Sequence, residues 1–155
     1  MFVARPTDRS GRRFALEDPD GAPLGELALA DGRQGGQLVA GDATYVFGRA
    51  ALESGPWQMR EGDAVVYETT KPAMVRNRLM TEVQRAQLEL GPKEKAKRTL
   101  VLTGPDWRDL GTIRRPSMLS KRIEVDLVDA VPEKARWFFL FQALVLWAGF
   151  ESEVR

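Results

Sequence analysis

Trp137-Phe138-Phe139-Leu140-Phe141-Gln142-Ala143-Leu144-Val145-Leu146-Trp147-Ala148-Gly149-Phe150 is the stretch on which the fold turns, 14 residues with a single polar side chain. At about 1.5 Å of rise per residue a helix of this length is roughly 21 Å long, short of the ~30 Å hydrocarbon core of a bilayer. It is too short to span a membrane, and apolar residues on its whole circumference prevent it from lying on a wetted surface. Such a segment has to be enclosed by protein or inserted in lipid. Enclosure requires apolar contacts from every side, which a strongly curved sheet wrapped around the helix would supply. Pro132 and Glu133 suit a first helical turn, through proline's fixed φ and the acidic side chain near the positive end of the helix dipole. Gly149 is the expected stop, so the helix is predicted over about 132–149.

Working toward the amino terminus, Ile123, Val125 and Leu127 alternate with Glu124 and Asp126, the pattern of a strand with one face in a core and one in water. From Arg12 to about Leu127 short apolar alternations are broken by turn residues. Phe14 and Leu16 lead through Asp18-Pro19-Asp20-Gly21 to Leu24, Leu27 and Leu29, which reads as a hairpin. Turn signals at Asp31-Gly32, Gly35-Gly36, Gly41-Asp42, Ser54-Gly55-Pro56 and Glu61-Gly62-Asp63 bound candidate strands at Gln37–Ala40, Thr44–Phe47, Trp57–Arg60 and Ala64–Thr69. Strands every 8 to 12 residues suggest a sandwich or barrel.

Lys71 to Leu90 supports two readings. Val75, Leu79, Val83, Ala86 and Leu90 recur at helical spacing behind Pro72. Against this, Gln87 to Leu90 alternates and faces Thr99 to Leu102 across a polar connection from Gly91 to Arg98, as hairpin strands would. The strand reading is preferred.

One internal echo occurs at an offset of 86 residues. Arg12, Phe14, Leu16, Pro19, Asp20, Leu24, Gly25 and Leu27 correspond to Arg98, Leu100, Leu102, Pro105, Asp106, Leu110, Gly111 and Ile113. A glycine in each return strand permits a bulge or a close approach by another element. Either all hairpins look alike, or two halves of a pseudo-symmetric barrel each contribute this one.

Leu110-Gly111-Thr112-Ile113-Arg114-Arg115, then Ile123 to Leu127, then a proline-opened apolar helix, resembles the tubby C-terminal-like superfamily, which includes the LURP-one-related proteins and phospholipid scramblases, and especially its short bacterial members. The best-matching part is Arg98 to Gly149. The resemblance implies one mostly β (α+β) domain over residues 1–155, a closed antiparallel β-barrel of about a dozen strands around a central hydrophobic C-terminal helix. Relatives bind phosphoinositides through basic residues or have been linked to calcium, but neither site maps residue by residue onto this chain.

Composition narrows function further. The 155 residues carry 23 basic and 22 acidic side chains, for a net charge of +1, so specific nucleic-acid binding is not expected. With no cysteine and no histidine, thiol nucleophiles, Cys/His zinc sites, imidazole bases and disulfides are ruled out. Carboxylates, lysine and tyrosine remain for catalysis, and no Gly-x-x-x-x-Gly-Lys or Gly-x-Ser-x-Gly segment occurs. Met1 to Pro6 has no long apolar stretch of the secretory type, so the expected location is cytoplasmic or peripheral to a membrane.

Charge is nevertheless uneven. Lys93, Lys95, Lys97, Arg98, Arg108, Arg114, Arg115, Lys121 and Arg122 outnumber Glu94, Asp106 and Asp109 in one segment. Arg98, Arg114, Arg115, Lys121 and Arg122 are the candidate anion- or lipid-binding residues, with Arg114 and Arg115 as fork donors. The competing interpretation is a solvated turn and ordinary outer strand faces. Asp18, Asp20, Asp31, Asp42, Glu61 and Asp63 sit beside turn glycines without EF-hand spacing, so no metal or cofactor is expected. Trp57 and Trp107 are expected to pack at strand ends. The function expected is a non-enzymatic binding or scaffold domain for anionic phospholipid or another macromolecule. The alternatives are a tail anchor formed by the apolar helix and an enzyme using carboxylates alone.

Overall fold

Buried backbone polar groups must find partners, and here they find them in one continuous antiparallel sheet that closes on itself. The computed structural model describes residues 1–30, 35–51, 54–70, 77–93, 96–117 and 120–153. The strands are β1 (Phe2–Pro6), β2 (Arg13–Glu17), β3 (Pro23–Leu29), β4 (Gly36–Ala40), β5 (Ala43–Ala51), β6 (Ser54–Glu61), β7 (Ala64–Thr70), β8 (Leu79–Val83), β9 (Ala86–Lys93), β10 (Ala96–Thr103), β11 (Asp109–Arg114) and β12 (Ile123–Leu127), followed by helix α1 (Glu133–Glu153). Each strand pairs with its sequence neighbours, and β1 pairs with β12 through Phe2↔Val125 and Ala4↔Ile123, so a twelve-stranded barrel closes. A closed barrel leaves no outer sheet edge to aggregate.

The helix fills the lumen. Phe138, Phe139, Leu140, Phe141, Gln142 and Ala143 are buried at 1% exposure or less although they point in all directions around α1. The wall meets them from many strands: Phe2 of β1 against Trp137, Phe47 of β5 stacked on Phe141 at 4.7 Å, Trp57 of β6 edge-on to Phe141 at 5.5 Å, and Tyr67 of β7 beside Phe138. Inward side chains such as Leu16, Leu38, Leu90, Leu102 and Ile113 complete the core. No helix among the described residues is long and apolar enough to cross a membrane.

Three expectations are corrected. The first strand is β1, ahead of Arg12, because Phe2, Val3 and Ala4 form an unbroken buried run whose period-2 signal is absent. The helix continues four residues past Gly149, which has no left-handed φ. Phe150 is only 6% exposed, and its burial outweighs the ~1 kcal/mol that a helical glycine costs. Third, the echo does not relate two halves. Its hairpins do share their register, Phe14↔Leu27 and Leu16↔Gly25 against Leu100↔Ile113 and Leu102↔Gly111, with a bulge after Leu16 and after Leu102. Yet β2 and β10 stand four strands apart around the ring, a third of twelve.

The period is in fact 43 residues, and the 86-residue echo is two steps of it. Strand β4 begins at Gly36 and β8 at Leu79; β5 begins at Ala43 and β9 at Ala86. The bulge after Leu16 recurs after Met59 and after Leu102. Three four-stranded units, β1–β4, β5–β8 and β9–β12, therefore build the barrel. The middle unit escapes a sequence search because Trp57 and Met59 replace Phe14 and Leu16, and Tyr67, opposite Met59, stands where the other units have Gly25 and Gly111.

In the ambiguous stretch, Leu79–Val83 and Ala86–Leu90 are strands, paired with each other from Leu79↔Leu90 to Val83↔Ala86. Gln84 and Arg85 take the left-handed φ values (50° and 68°) that a two-residue hairpin turn requires. The turn signal at Asp31-Gly32 and the helical spacing at Pro72 and Val75 fall outside the described residues.

Candidate functional site

In an up-and-down barrel successive hairpins alternate between the two ends, so charges far apart in sequence gather on one rim. The turns after β2, β4, β6, β8 and β10, with the start of α1, form the entry end; those after β1, β3, β5, β7, β9 and β11 form the exit end, which the carboxyl end of α1 reaches. This alternation divides the basic segment. Lys93, Lys97, Arg98, Arg114, Arg115, Lys121 and Arg122 fall at the exit end, whereas Arg108 lies with Asp106 and Asp109 at the entry end. Lys95 is outside the described residues.

The exit rim also collects cations that linear reading missed: Arg9 and Arg12 in the β1–β2 turn, Arg13 at the start of β2, Arg49 near the end of β5, and Arg78 just before β8. The entry end has the opposite character, with Asp18, Asp20, Asp42, Glu61, Asp63, Asp106, Asp109, Asp129 and Glu133 in its turns against Arg85, Arg108 and Lys134. Among the described residues the cations are thus unevenly spread along the barrel axis, although Asp8, Glu151 and Glu153 also stand at the exit end. The sense matches the helix dipole, whose negative end faces the exit rim, although that effect fades within a turn and is worth only about 0.3–1 kcal/mol per charge.

Individual candidates play different parts. Trp147 donates from Nε1 to the Lys97 carbonyl at 2.8 Å, and the Arg115 guanidinium stacks over its ring at 4.3 Å. Lys97 Nζ stands 5.5 Å from the Phe150 ring. These cation–π contacts, each worth about 0.5–1 kcal/mol, fix two cations over the carboxyl end of α1. Arg114 and Arg115 point in different directions. Arg115 turns to the lumen mouth, while Arg114 lies outside in an ion pair with Glu124 at 2.8 Å. Arg122 is 4.0 Å from the same carboxylate, so one anion is set between two cations. Lys121, at φ 54°, runs its side chain against Gly11 of the β1–β2 turn. Arg98 is exposed on β10. In the β1–β2 turn Asp8 is held below its ordinary value of 3.8 by the Ser10 hydroxyl, with backbone amides helping it outweigh the desolvation that acts the other way.

Other candidate residues serve structure. Asp18 accepts from the backbone amides of Asp20 and Ala22, at 2.9 and 2.8 Å, as a turn aspartate does. No group of three or more metal-ligating side chains occurs among the described residues. Trp57 is 8% exposed and packs as expected, but Trp107 is 87% exposed. Both Asp106 and Trp107 adopt left-handed φ in the tight turn Pro105–Trp107, and this swings the indole away from the strand ends. At the entry end Lys134 bonds Glu61 at 3.3 Å, which raises its affinity for its proton; burial raises that of Tyr67, against the opposing charge of Lys134.

Compared with known proteins, the chain matches no family model, no curated protein and no solved structure.

Proposed function

We propose that this chain is a non-enzymatic binding domain that attaches, peripherally, to anionic phospholipid through its exit rim. The observation that carries the reading is the gathering of Lys97 and Arg98, at the start of β10, with Arg115, Lys121 and Arg122, in the β11–β12 connection, at the end of the barrel that the carboxyl end of the buried helix reaches. Glu124 is shared between Arg114 and Arg122, and Asp8 of the β1–β2 turn and Glu151 and Glu153 of the last turn of α1 stand at the same end. A rim of this kind suits phosphate oxygens, which take several donors at once, and a membrane surface, which engages many cations together. With the helix committed to the core, the lumen offers no room for substrate, so recognition belongs on the outer surface. We further propose membership of the tubby C-terminal-like superfamily as a short form. The twelve-stranded barrel closed around a terminal helix agrees with what that resemblance implies, but architecture alone carries no activity.

Vesicle flotation tests the proposal. Each basic residue near an anionic surface contributes about 1 kcal/mol, so Arg98→Glu, Lys121→Glu and Arg122→Glu together should lower binding to phosphatidylserine vesicles by about a hundredfold or more. Binding should weaken with added salt and be absent from phosphatidylcholine vesicles. Equal absence of the wild-type chain from both vesicle types would overturn it.

A further inference from the structure

The outer wall of the barrel is not uniform. Ion pairs lie on several parts of it: Arg5–Glu17 across β1 and β2, Arg114–Glu124 across β11 and β12, and Arg78, just before β8, with Glu89 of β9. Strands β4 and β5 have a different outer face. Side chains alternate across a strand, and with Leu38, Tyr45 and Phe47 buried in the core, Gln37, Val39, Thr44, Val46 and Gly48 face outward. None of these five is charged. Val39 is 40% exposed and Val46 50%, and the pairs Val39↔Thr44 and Gln37↔Val46 make them diagonal neighbours on adjoining strands.

One charge of each sign borders this uncharged strip. The register places Glu26 of β3 opposite Val39 and Arg60 of β6 opposite Val46, and both charged side chains are exposed. Glu26 has no ion pair among the described residues. Arg60 donates to a neutral acceptor, Gln58 Oε1, at 2.7 and 3.0 Å. Among the described residues, then, neither charge is matched by an opposite one in its own chain.

We propose that this strip is a self-association surface, on which a second copy of the chain packs β4 and β5 face to face about a two-fold axis running along the strands between them. Such an axis lays β4 of one copy on β5 of the other and β3 on β6. Val39 and Val46 then meet their counterparts at the centre, and Glu26 of each copy faces Arg60 of the other, so the two unmatched charges satisfy each other twice. A closed barrel has no free edge to lend to a partner's strand, which leaves its faces for association. Two convex walls diverge on either side of their line of contact. Short valines therefore suit the centre, and the long side chains of glutamate and arginine reach across the widening gap at the flanks, where charges set orientation and specificity more than affinity.

Sedimentation velocity of the full chain, taken up to millimolar concentration, tests this. The wild-type chain should pass from monomer to dimer as its concentration rises. Val46→Lys sets two ammonium groups beside the axis and should leave a monomer, as should Val39→Lys. Glu26→Arg turns both flanking pairs into Arg–Arg contacts and Arg60→Glu turns them into Glu–Glu contacts, so each should weaken self-association about tenfold. Mixed together, these two variants recover an opposite-charge pair at each flank and should associate as tightly as the wild type. Circular dichroism should show every variant folded, since each change lies on the exposed outer wall. A wild-type chain still monomeric at millimolar concentration, undiminished association of both lysine variants, or a mixture of Glu26→Arg and Arg60→Glu no tighter than either alone would each overturn the proposal.

Discussion

Thr81→Val is the most informative single perturbation of this barrel. Helix α1 is apolar around its whole circumference, so no amphipathic stripe sets its rotation in the lumen. Two directional links to the wall do so: Trp147 to the Lys97 carbonyl, and Gln142 Nε2 to Thr81 Oγ1 at 2.7 Å. Both Gln142 and Thr81 are fully buried, and Gln142 Oε1 has no hydrogen-bond partner among the described residues. The amide can be turned either way and one of its polar atoms still lacks a partner. Replacing Thr81 by the nearly isosteric valine strips the remaining bond and leaves the whole amide buried and unpaired, at a cost of about 1–3 kcal/mol. Gln142→Met strands only a hydroxyl while removing the orphaned carbonyl, so its cost should be about 1 kcal/mol or less. The double variant removes both polar groups and should be close to wild-type stability, which makes the pair non-additive by about 1–2 kcal/mol. Urea unfolding followed by tryptophan fluorescence and circular dichroism measures all four proteins, provided that m is constant across them. Thr81→Val as stable as wild type, or single-variant costs that simply add in the double, would refute the reasoning.

Gly111→Ala places a methyl group against the Asp126 carbonyl at φ 122°, whereas Gly21→Ala at φ 88° meets open space. The first should cost about 3 kcal/mol or more and the second about 1 kcal/mol, measured by thermal unfolding; equal losses would contradict the close approach of β12. Truncation after Val131 removes Phe138, Phe139, Leu140, Phe141 and Leu144, each worth about 1.5–3 kcal/mol in burial, against a domain stability of about 5–15 kcal/mol. The truncated chain should fail to fold, and a soluble product with the full β-sheet spectrum would show that the helix is not the core.

Local pattern carried much of the fold. Ile123, Val125 and Leu127 alternate because one face of β12 meets α1 and the other meets water, and that asymmetry is written in the residues themselves. Where both faces are covered the pattern vanishes, as at Phe2 to Ala4, and the closing strand could not be seen. Gly149 shows the limit of local stop signals: the residue after it was buried, and burial outweighed propensity. Of the candidate site, the sequence offered the cations but not their grouping. Arg108 lies between Arg98 and Arg114 in the chain yet on the opposite end of the barrel, while Arg12 and Arg78, remote in sequence, share their rim.

The amino-acid sequence by itself determined that Trp137 to Phe150 is either enclosed by protein or inserted in lipid, because a helix apolar on every side has no stable place on a wetted surface, and burial inside the barrel was decided by the fold. It also offered a run of amphipathic strands able to form the enclosure. Only the tertiary structure decided how the strands closed, which charges met on each rim, and that the chain repeats with a period of 43 residues. Those outcomes depend on the antiparallel alternation of the hairpins and on the approach of one backbone to another, and neither is encoded in any single stretch of chain.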